Sequence, residues 1–137
     1  MADTVEFEMV IPENLLFSEK VELVVVPGAE GDFGVLPGHS PFISTLRPGV
    51  ISIYENNLVN QRIFVTGGFA EVTPDRCTVL ADEAIDLNSA ERSELELRVE
   101  EARKVVNEAT EDELENAASL LKQSEVILAA FDSMGQA

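Results

Sequence analysis

The chain has 137 residues, which is enough for one domain, or for one small domain with an appendage. Apolar residues make up 45% of it, and this content excludes a disordered chain. The net charge is −17, from 26 acidic and 9 basic residues. Such a field repels nucleic acid and anionic lipid, so neither is expected to bind directly, and the expected partners are proteins.

Targeting features point to the cytosol. Cys77 is the only cysteine, so no internal disulfide can form, which fits a reducing compartment. No apolar run approaches the roughly 20 residues of a membrane span. The start, MADTVEFEMV, lacks the basic and apolar regions of a secretory signal and the arginines of a transit peptide. We therefore expect a cytosolic chain that reaches a membrane only through a protein partner.

Residues 1–87 alternate with the period of a β-strand, and turn signals at 55–57, 66–68 and 73–75 separate the runs. Many short strands at such spacing indicate an antiparallel sandwich or barrel. The residues predicted to share a face within each run are Val5, Phe7, Met9 and Ile11; Val21, Leu23 and Val25; Ile51 and Ile53; Ile63 and Val65; and Cys77, Val79 and Ala81.

Residues 88–137 change to a helical period and become rich in Ala, Glu and Leu. Thr110 and Glu113 match a capping box, which predicts a new helix start there. Two helices of about 20 residues with so short a break predict an antiparallel hairpin, weakly held because alanine buries little area. The two predicted apolar stripes are Leu95, Val99, Ala102, Val106 and Ala109, and then Leu114, Ala117, Ala118, Leu121, Ile127, Leu128 and Phe131.

Residues 26–49 hold five of the eight glycines, four of the six prolines and the only histidine, His39. A phosphate loop is excluded because no lysine lies between Gly28 and Gly38. The tripeptide DFG at 32–34 lacks the other parts of a kinase. His39 has neither a second histidine nor a cysteine to work with, so it is predicted to cap a turn or to contact a partner.

No other group of residues predicts chemistry. Cys77 alternates with apolar residues and is predicted to be a core side chain. The acidic run at 111–115 lacks the glycine and the spacing of a calcium loop. No nucleophile, base and orienting group can be assembled, so we expect no catalytic residue, no metal and no cofactor.

The remaining candidate is a binding surface within residues 26–49, which is predicted to be rigid without forming a strand. Its apolar residues either form an exposed, preformed patch or point inward and close the sandwich. The residues in question are Phe33, Val35, Leu36 and Phe42.

These residues carry a resemblance to the epsilon subunits of bacterial F-type ATP synthases. The family pattern is a short acidic glycine loop, then P-G-H-x-P, then a basic residue with P-G. The matching stretches are GAEGDFGVLPGHSPFISTLRPG at 28–49, GGFAEV at 67–72 and VTPDRCTVLADEA at 72–84. The resemblance spans nearly the whole chain, is strongest over 21–84, and beyond 88 rests on helical character alone. It implies a β-sandwich of about ten short strands over 1–87 and a regulatory helical hairpin over 88–137.

The resemblance also implies a role in the rotor, bound to the gamma subunit and standing on the ring of c subunits. It implies c-ring contacts by Glu30, Gly31 and Asp32, where acidic groups on a glycine-shaped loop suit basic and polar loops. It places His39, Pro41 and Phe42 toward gamma. The mitochondrial counterpart, delta, shares the motif, and the missing transit peptide favours a peripheral protein on the cytoplasmic face of a bacterial inner membrane.

In this family the hairpin is a switch, which extends along gamma and transiently meets the alpha/beta catalytic head to block ATP hydrolysis. Inhibition generally uses basic residues of the second helix, and here only Lys122 is basic beyond residue 105, so weak inhibition is expected. Some members bind ATP through the pattern I/L-D-x-x-R-A. The candidate positions are Ile85, Asp86 and Ala90, but Ser89 replaces the arginine that would pair with phosphate, which argues against nucleotide binding.

Two other classes stay open at this point. One is a stand-alone acidic adaptor, which would not co-purify with gamma. The other is a nucleotide-sensing binding module, which ATP titration would reveal.

Overall fold

The computed structural model of the chain describes residues 4–12 and 14–134, with side chains throughout except at 14–16. The chain divides into two compact units, Met1–Asn88 and Ser89–Ala137. The first unit contains strands and the second contains helices, so the predicted order of a β domain followed by two helices is confirmed.

Ten strands form the first unit. They are β1 (Val5–Ile11), β2 (Asn14–Val21), β3 (Leu23–Gly28), β4 (Gly31–Val35), β5 (Phe42–Leu46), β6 (Gly49–Glu55), β7 (Leu58–Val65), β8 (Gly68–Thr73), β9 (Arg76–Ala81) and β10 (Ala84–Asp86). Hydrogen bonds join them in the order β10-β7-β6-β3-β5-β8-β9-β1-β2, with β4 also on β3. All pairs are antiparallel except β1 with β9.

A single residue pair, Gly28 with Leu46, joins β3 to β5. This narrow link divides the ladder into two halves, and the buried residues of both halves form one hydrophobic core. The core is therefore that of a two-layer sandwich, in which each layer buries one face of its strands.

Alternation predicted most of this core correctly. Val5, Phe7 and Met9 are fully buried along β1, and the predicted residues of β6, β7 and β9 are buried as well. The face predicted for the run 21–25 is wrong. Leu23 and Val25 are only half-buried, and Val24 and Val26 fill the core instead. The reason is a bend at Glu22, which ends β2 and restarts the alternation in β3.

The prediction that residues 26–49 form no strand is also wrong. Most of them belong to β3, β4 and β5, and the DFG tripeptide lies inside β4. The two alternatives for the apolar residues both apply. Val35 is buried in the core, Phe33 is half-buried, and Leu36 and Phe42 are exposed.

The second unit contains α1 (Arg92–Glu108) and α2 (Glu111–Met134), which pack against each other. Arg92, at the start of α1, contacts Asp132 near the end of α2, so the hairpin is antiparallel as predicted. Within the described residues, neither helix is long and apolar enough to span a membrane.

The α1 stripe is confirmed, since Leu95 and Val99 are buried and its other members are half-buried. The α2 stripe is partly wrong. Leu114 and Ala118 are exposed, whereas Ser124, which was not predicted, is buried. Leu114 lies in the first turn of α2, which begins after α1 has ended at Glu108. The Ser124 hydroxyl donates to the Leu120 carbonyl at 2.9 Å, and this bond lets a polar side chain occupy the buried face.

Candidate protein-interaction site

The β3–β4 turn, residues Gly28–Gly31, is shaped by its two glycines. A Cβ on Gly28 would lie 2.8 Å from the Gly31 carbonyl oxygen and 2.9 Å from the Phe33 ring. Gly31 has φ of 141°, a conformation that side chains with a Cβ rarely adopt. The turn therefore needs glycine at both positions, and it exposes Glu30 at its tip.

Arg47 holds this turn from the end of β5. Its guanidinium donates to the Gly28 carbonyl and forms an ion pair with the Asp32 carboxylate. Two backbone bonds support it, since Arg47 N donates to Pro27 O at 3.0 Å and Ala29 N donates to Thr45 O at 2.9 Å. The acidic loop is therefore anchored on both sides of its tip.

A groove of about 440 Å³ lies beside the turn, and Glu30, Gly31, Asp32 and Phe42 are among its lining residues. The rings of Phe33 and Phe42 meet edge to face, with centroids 5.3 Å apart. The structure thus brings together the three residues predicted to contact a c-ring with one predicted to contact gamma. His39 and Pro41 do not line this groove.

His39 ends a turn that begins at Leu36. Its backbone N–H donates to the Leu36 carbonyl at 3.2 Å, and Gly38 has φ of 85°, as a type II turn requires. Gly38 N also donates to Pro74 O at 2.6 Å, which ties the turn to the β8–β9 loop. The ring Nδ1 lies 2.7 Å from Ser40 O, where an Nδ1–H donates. His39 therefore lies at a turn, in agreement with one of the two alternatives predicted for it, and its contact with a partner stays a prediction.

A row of exposed apolar side chains lies on the outer face of the β5-β8-β9-β1 half. Ile43, Phe69 and Leu80 are 70%, 53% and 52% exposed, and Val10 is half-buried. Phe69 pairs with Leu80 across β8 and β9, and Leu80 pairs with Val10 across β9 and β1. We call these four residues the apolar row. Part of it lines a depression of about 260 Å³.

Sequence reasoning missed the apolar row, although a signal existed. Phe69 and Leu80 occupy positions of GFAEVT and RCTVLA that should be polar if that face met only water. Phe69, Leu80 and Val10 are direct neighbours across three strands, whereas Ile43 stands opposite Glu71 on the same face. An apolar patch on an exposed sheet face is typical of a protein-interaction surface.

The candidate nucleotide residues fall in different units. Ile85 and Asp86 lie in β10, whereas Ala90 belongs to the second unit. The Asp86 carboxylate accepts from Asn88 N at 3.0 Å and from the Gln61 amide at 3.4 Å. Asn88 in turn accepts from Arg62 N at 2.8 Å. These bonds give Asp86 a structural role in the turn that follows β10.

The side chains that could take part in catalysis or metal binding are either unreactive or not grouped together. Burial raises the pKa of the Cys77 thiol to about 12, so this core side chain stays protonated at neutral pH. Among residues 4–12 and 14–134, no three histidine, cysteine or acidic residues are grouped as metal ligands. The arrangement suits docking to other proteins.

Comparisons with known proteins all find chains of ATP synthases. Residues 4–87 match the family described as ATP synthase, Delta/Epsilon chain, beta-sandwich domain. The chain is 57% identical over 131 residues to an ATP synthase epsilon chain of Rhodospirillum rubrum, covering 95% of this chain and 98% of the relative. It is 46% identical over 131 residues, with the same coverage, to that of Paramagnetospirillum magneticum.

Solved structures share the fold. A chain in a Euglena gracilis mitochondrial ATP synthase, described as OSCP/F1/c-ring, gives a TM-score of 0.76 at 23% identity, covering 95% of this chain and 82% of that one. A chain from the central stalk/c-ring of the Tetrahymena thermophila enzyme gives 0.54 at 12% identity, covering 95% of both.

Proposed function

This chain belongs to the ATP synthase delta/epsilon family as a non-catalytic, epsilon-type subunit, and on that premise we propose that it joins the gamma subunit to the c-ring in the central stalk. The predicted resemblance to epsilon subunits is thereby confirmed. Family membership also removes the grounds for the stand-alone adaptor, since the relatives are subunits of a complex.

The observation that carries the proposal is the anchored acidic turn. Glu30, Gly31 and Asp32 stand at one end of the sandwich, on a loop held by Arg47 and by strand hydrogen bonds. A charged loop of fixed shape can select the basic and polar loops of a c-ring, because charge fixes register and suppresses wrong partners. The similar solved structures are an OSCP/F1/c-ring assembly and a central stalk/c-ring assembly, which agrees with the proposal.

The apolar row supports contact with gamma. Ile43 follows Phe42 in β5, but successive side chains of a strand point to opposite faces. Phe42 is in register with the buried Val72, so the row lies on the other face of the strand from Phe42. Burying exposed side chains such as Phe69 and Leu80 is favourable at about 25 cal/mol per Å². We propose that gamma covers this row.

The hairpin is proposed to regulate weakly, if it reaches the catalytic alpha/beta head. Its second helix carries six acidic residues and one lysine, Lys122. Such a helix is repelled by acidic surfaces, and the Ser89 substitution gives no support for control by ATP.

Charge reversal at the turn tests the proposal. Glu30→Lys with Asp32→Lys should reduce retention of the chain on membranes that contain the complex, and should reduce ATP-driven proton pumping in vesicles made from them. Glu19→Lys with Glu101→Lys changes the net charge equally on exposed residues elsewhere and should change neither readout. Normal pumping and retention with the reversed turn would count against the proposed c-ring contact.

A further inference from the structure

We infer that Arg47 is the positioning residue of the c-ring contact, and that it leaves Glu30 as the charge which the turn presents. This inference rests on the proposed function and refines it. It separates the two acidic residues of the turn into two roles, one structural and one for recognition.

Backbone hydrogen bonds fix the position of Arg47 independently of its side chain. Arg47 N donates to Pro27 O at 3.0 Å, and Ala29 N donates to Thr45 O at 2.9 Å. These two bonds, together with the Gly28–Leu46 pair, hold the end of β5 beside the β3–β4 turn. The Arg47 side chain therefore starts from a defined place.

The guanidinium then connects both sides of the turn. One terminal N–H group donates to the Gly28 carbonyl, on the β3 side, and the other pairs with Asp32, on the β4 side. A guanidinium holds its N–H groups at fixed angles, so it can bridge two acceptors in one plane, whereas a lysine ammonium acts as a point charge. Arginine thus fits this position for its shape as well as its charge.

The ion pair changes the charge of the turn. Asp32 and Arg47 neutralise each other, and the tip keeps the single negative charge of Glu30. Within the described chain, no cation forms an ion pair with Glu30, which is exposed. A partner loop would therefore meet one net charge at a place that the anchored backbone determines.

Arg47→Gln in the full-length chain separates shape from charge. The measurement is binding to isolated, immobilised c-ring, with amide hydrogen exchange of residues 29–32 recorded in parallel. The variant makes the turn more negative by one unit, so charge alone predicts tighter binding to basic loops. Loss of order in the turn predicts binding weaker by roughly three- to tenfold, with faster amide exchange.

Arg76→Gln is the matched control. The Arg76 guanidinium also pairs with carboxylates, those of Glu6 and Glu8, but away from the turn. This variant should change neither c-ring binding nor exchange at residues 29–32. Arg47→Lys should recover part of the binding, because the charge remains and one of the two bonds can form.

A second pair of variants tests the division of roles. Glu30→Gln and Asp32→Asn change the net charge of the turn equally. Glu30→Gln should weaken binding by roughly two- to fivefold and reduce its salt dependence. Asp32→Asn should also weaken binding, but through loss of the Arg47 anchor, with faster amide exchange at residues 29–32; Glu30→Gln should leave that exchange unchanged.

The outcomes distinguish this inference from the proposed function. No binding of the unaltered chain to the c-ring would overturn the proposed contact itself. Normal binding that Arg47→Gln leaves unchanged or tightens, or amide exchange at residues 29–32 that Asp32→Asn leaves unchanged, would overturn the inference alone.

Discussion

The two units of this chain are stabilised in different ways. The β unit joins distant parts of the sequence, such as β1 with β9, around side chains that are fully buried. The hairpin joins neighbouring helices, in which only Leu95, Val99, Ala117, Ser124 and Ile127 are buried. Because burial dominates stability, the β unit should be the rigid one and the hairpin the one that opens at low cost. The proposed docking residues lie on the rigid unit.

The largest effect is expected from Gly68→Ala in the β unit. A Cβ there would lie 1.9 Å from the Leu80 carbonyl oxygen, and φ is 136°, so β8 and β9 could not keep their register. We expect a loss of about 4 kcal/mol or more in the free energy of unfolding. Denaturant titration measures it, with alkylation of the buried Cys77 thiol as a probe of this unit.

Gly38→Ala is the control for that prediction. Gly38 also has positive φ, 85°, but a Cβ would meet nothing within 4 Å. Only backbone strain remains, which costs about 1–2 kcal/mol. Equal losses in the two variants would contradict the view that the close approach of β8 and β9 determines the rigidity of the β unit.

A smaller effect is expected from separating the two helices at the ends that lie opposite the α1–α2 turn. Arg92 donates to both carboxylate oxygens of Asp132, at 2.9 and 3.1 Å, and this fork joins the start of α1 to the end of α2. Asp132→Asn should lower the temperature at which the helical circular dichroism signal is lost, and should leave Cys77 protected. Glu96→Gln, which removes only a pair within α1, should lower it less.

The pH dependence sharpens this prediction. The hydrogen bond from Arg92 lowers the pKa of Asp132 below its ordinary value of 3.8, and hydrogen bonds from Thr110 lower the pKa of Glu113 below 4.5. Because the pKa is lowered in the folded state, the ionised carboxylate stabilises the hairpin at a pH above the ordinary pKa. This stabilisation is lost as the pH falls through the lowered pKa. The difference between the unaltered chain and Asp132→Asn should therefore shrink below pH 3.8. A difference that does not shrink as the pH falls through the lowered pKa of Asp132 would contradict the ion-pair explanation.

The same contrast explains what could be predicted from the sequence. Alternation identified buried residues such as Phe7 and Val79, because one-sided burial leaves a period of two. It failed at Leu23, because the bend at Glu22 restarts the alternation. It also failed within 26–49, because the many glycines made strands look like loops. The Thr110–Glu113 cap was predictable because it is local, and both bonds from Thr110 to Glu113 are present. The contacts of Arg47 with Gly28 and Asp32 were not predictable, since these residues lie 19 and 15 positions away from it in the sequence.

The smallest effect on activity is expected from the largest change, a chain that ends at Asn88. The docking residues Glu30 and Arg47 lie within the retained unit, so assembly and proton pumping should stay normal. ATPase activity should rise little, because an acidic α2 with only Lys122 as a base is repelled by acidic surfaces of a catalytic head. Converting Glu115 and Glu125 to lysine in the full chain tests the reason: inhibition should then increase. A large rise in ATPase on truncation would show that the hairpin inhibits by means other than charge.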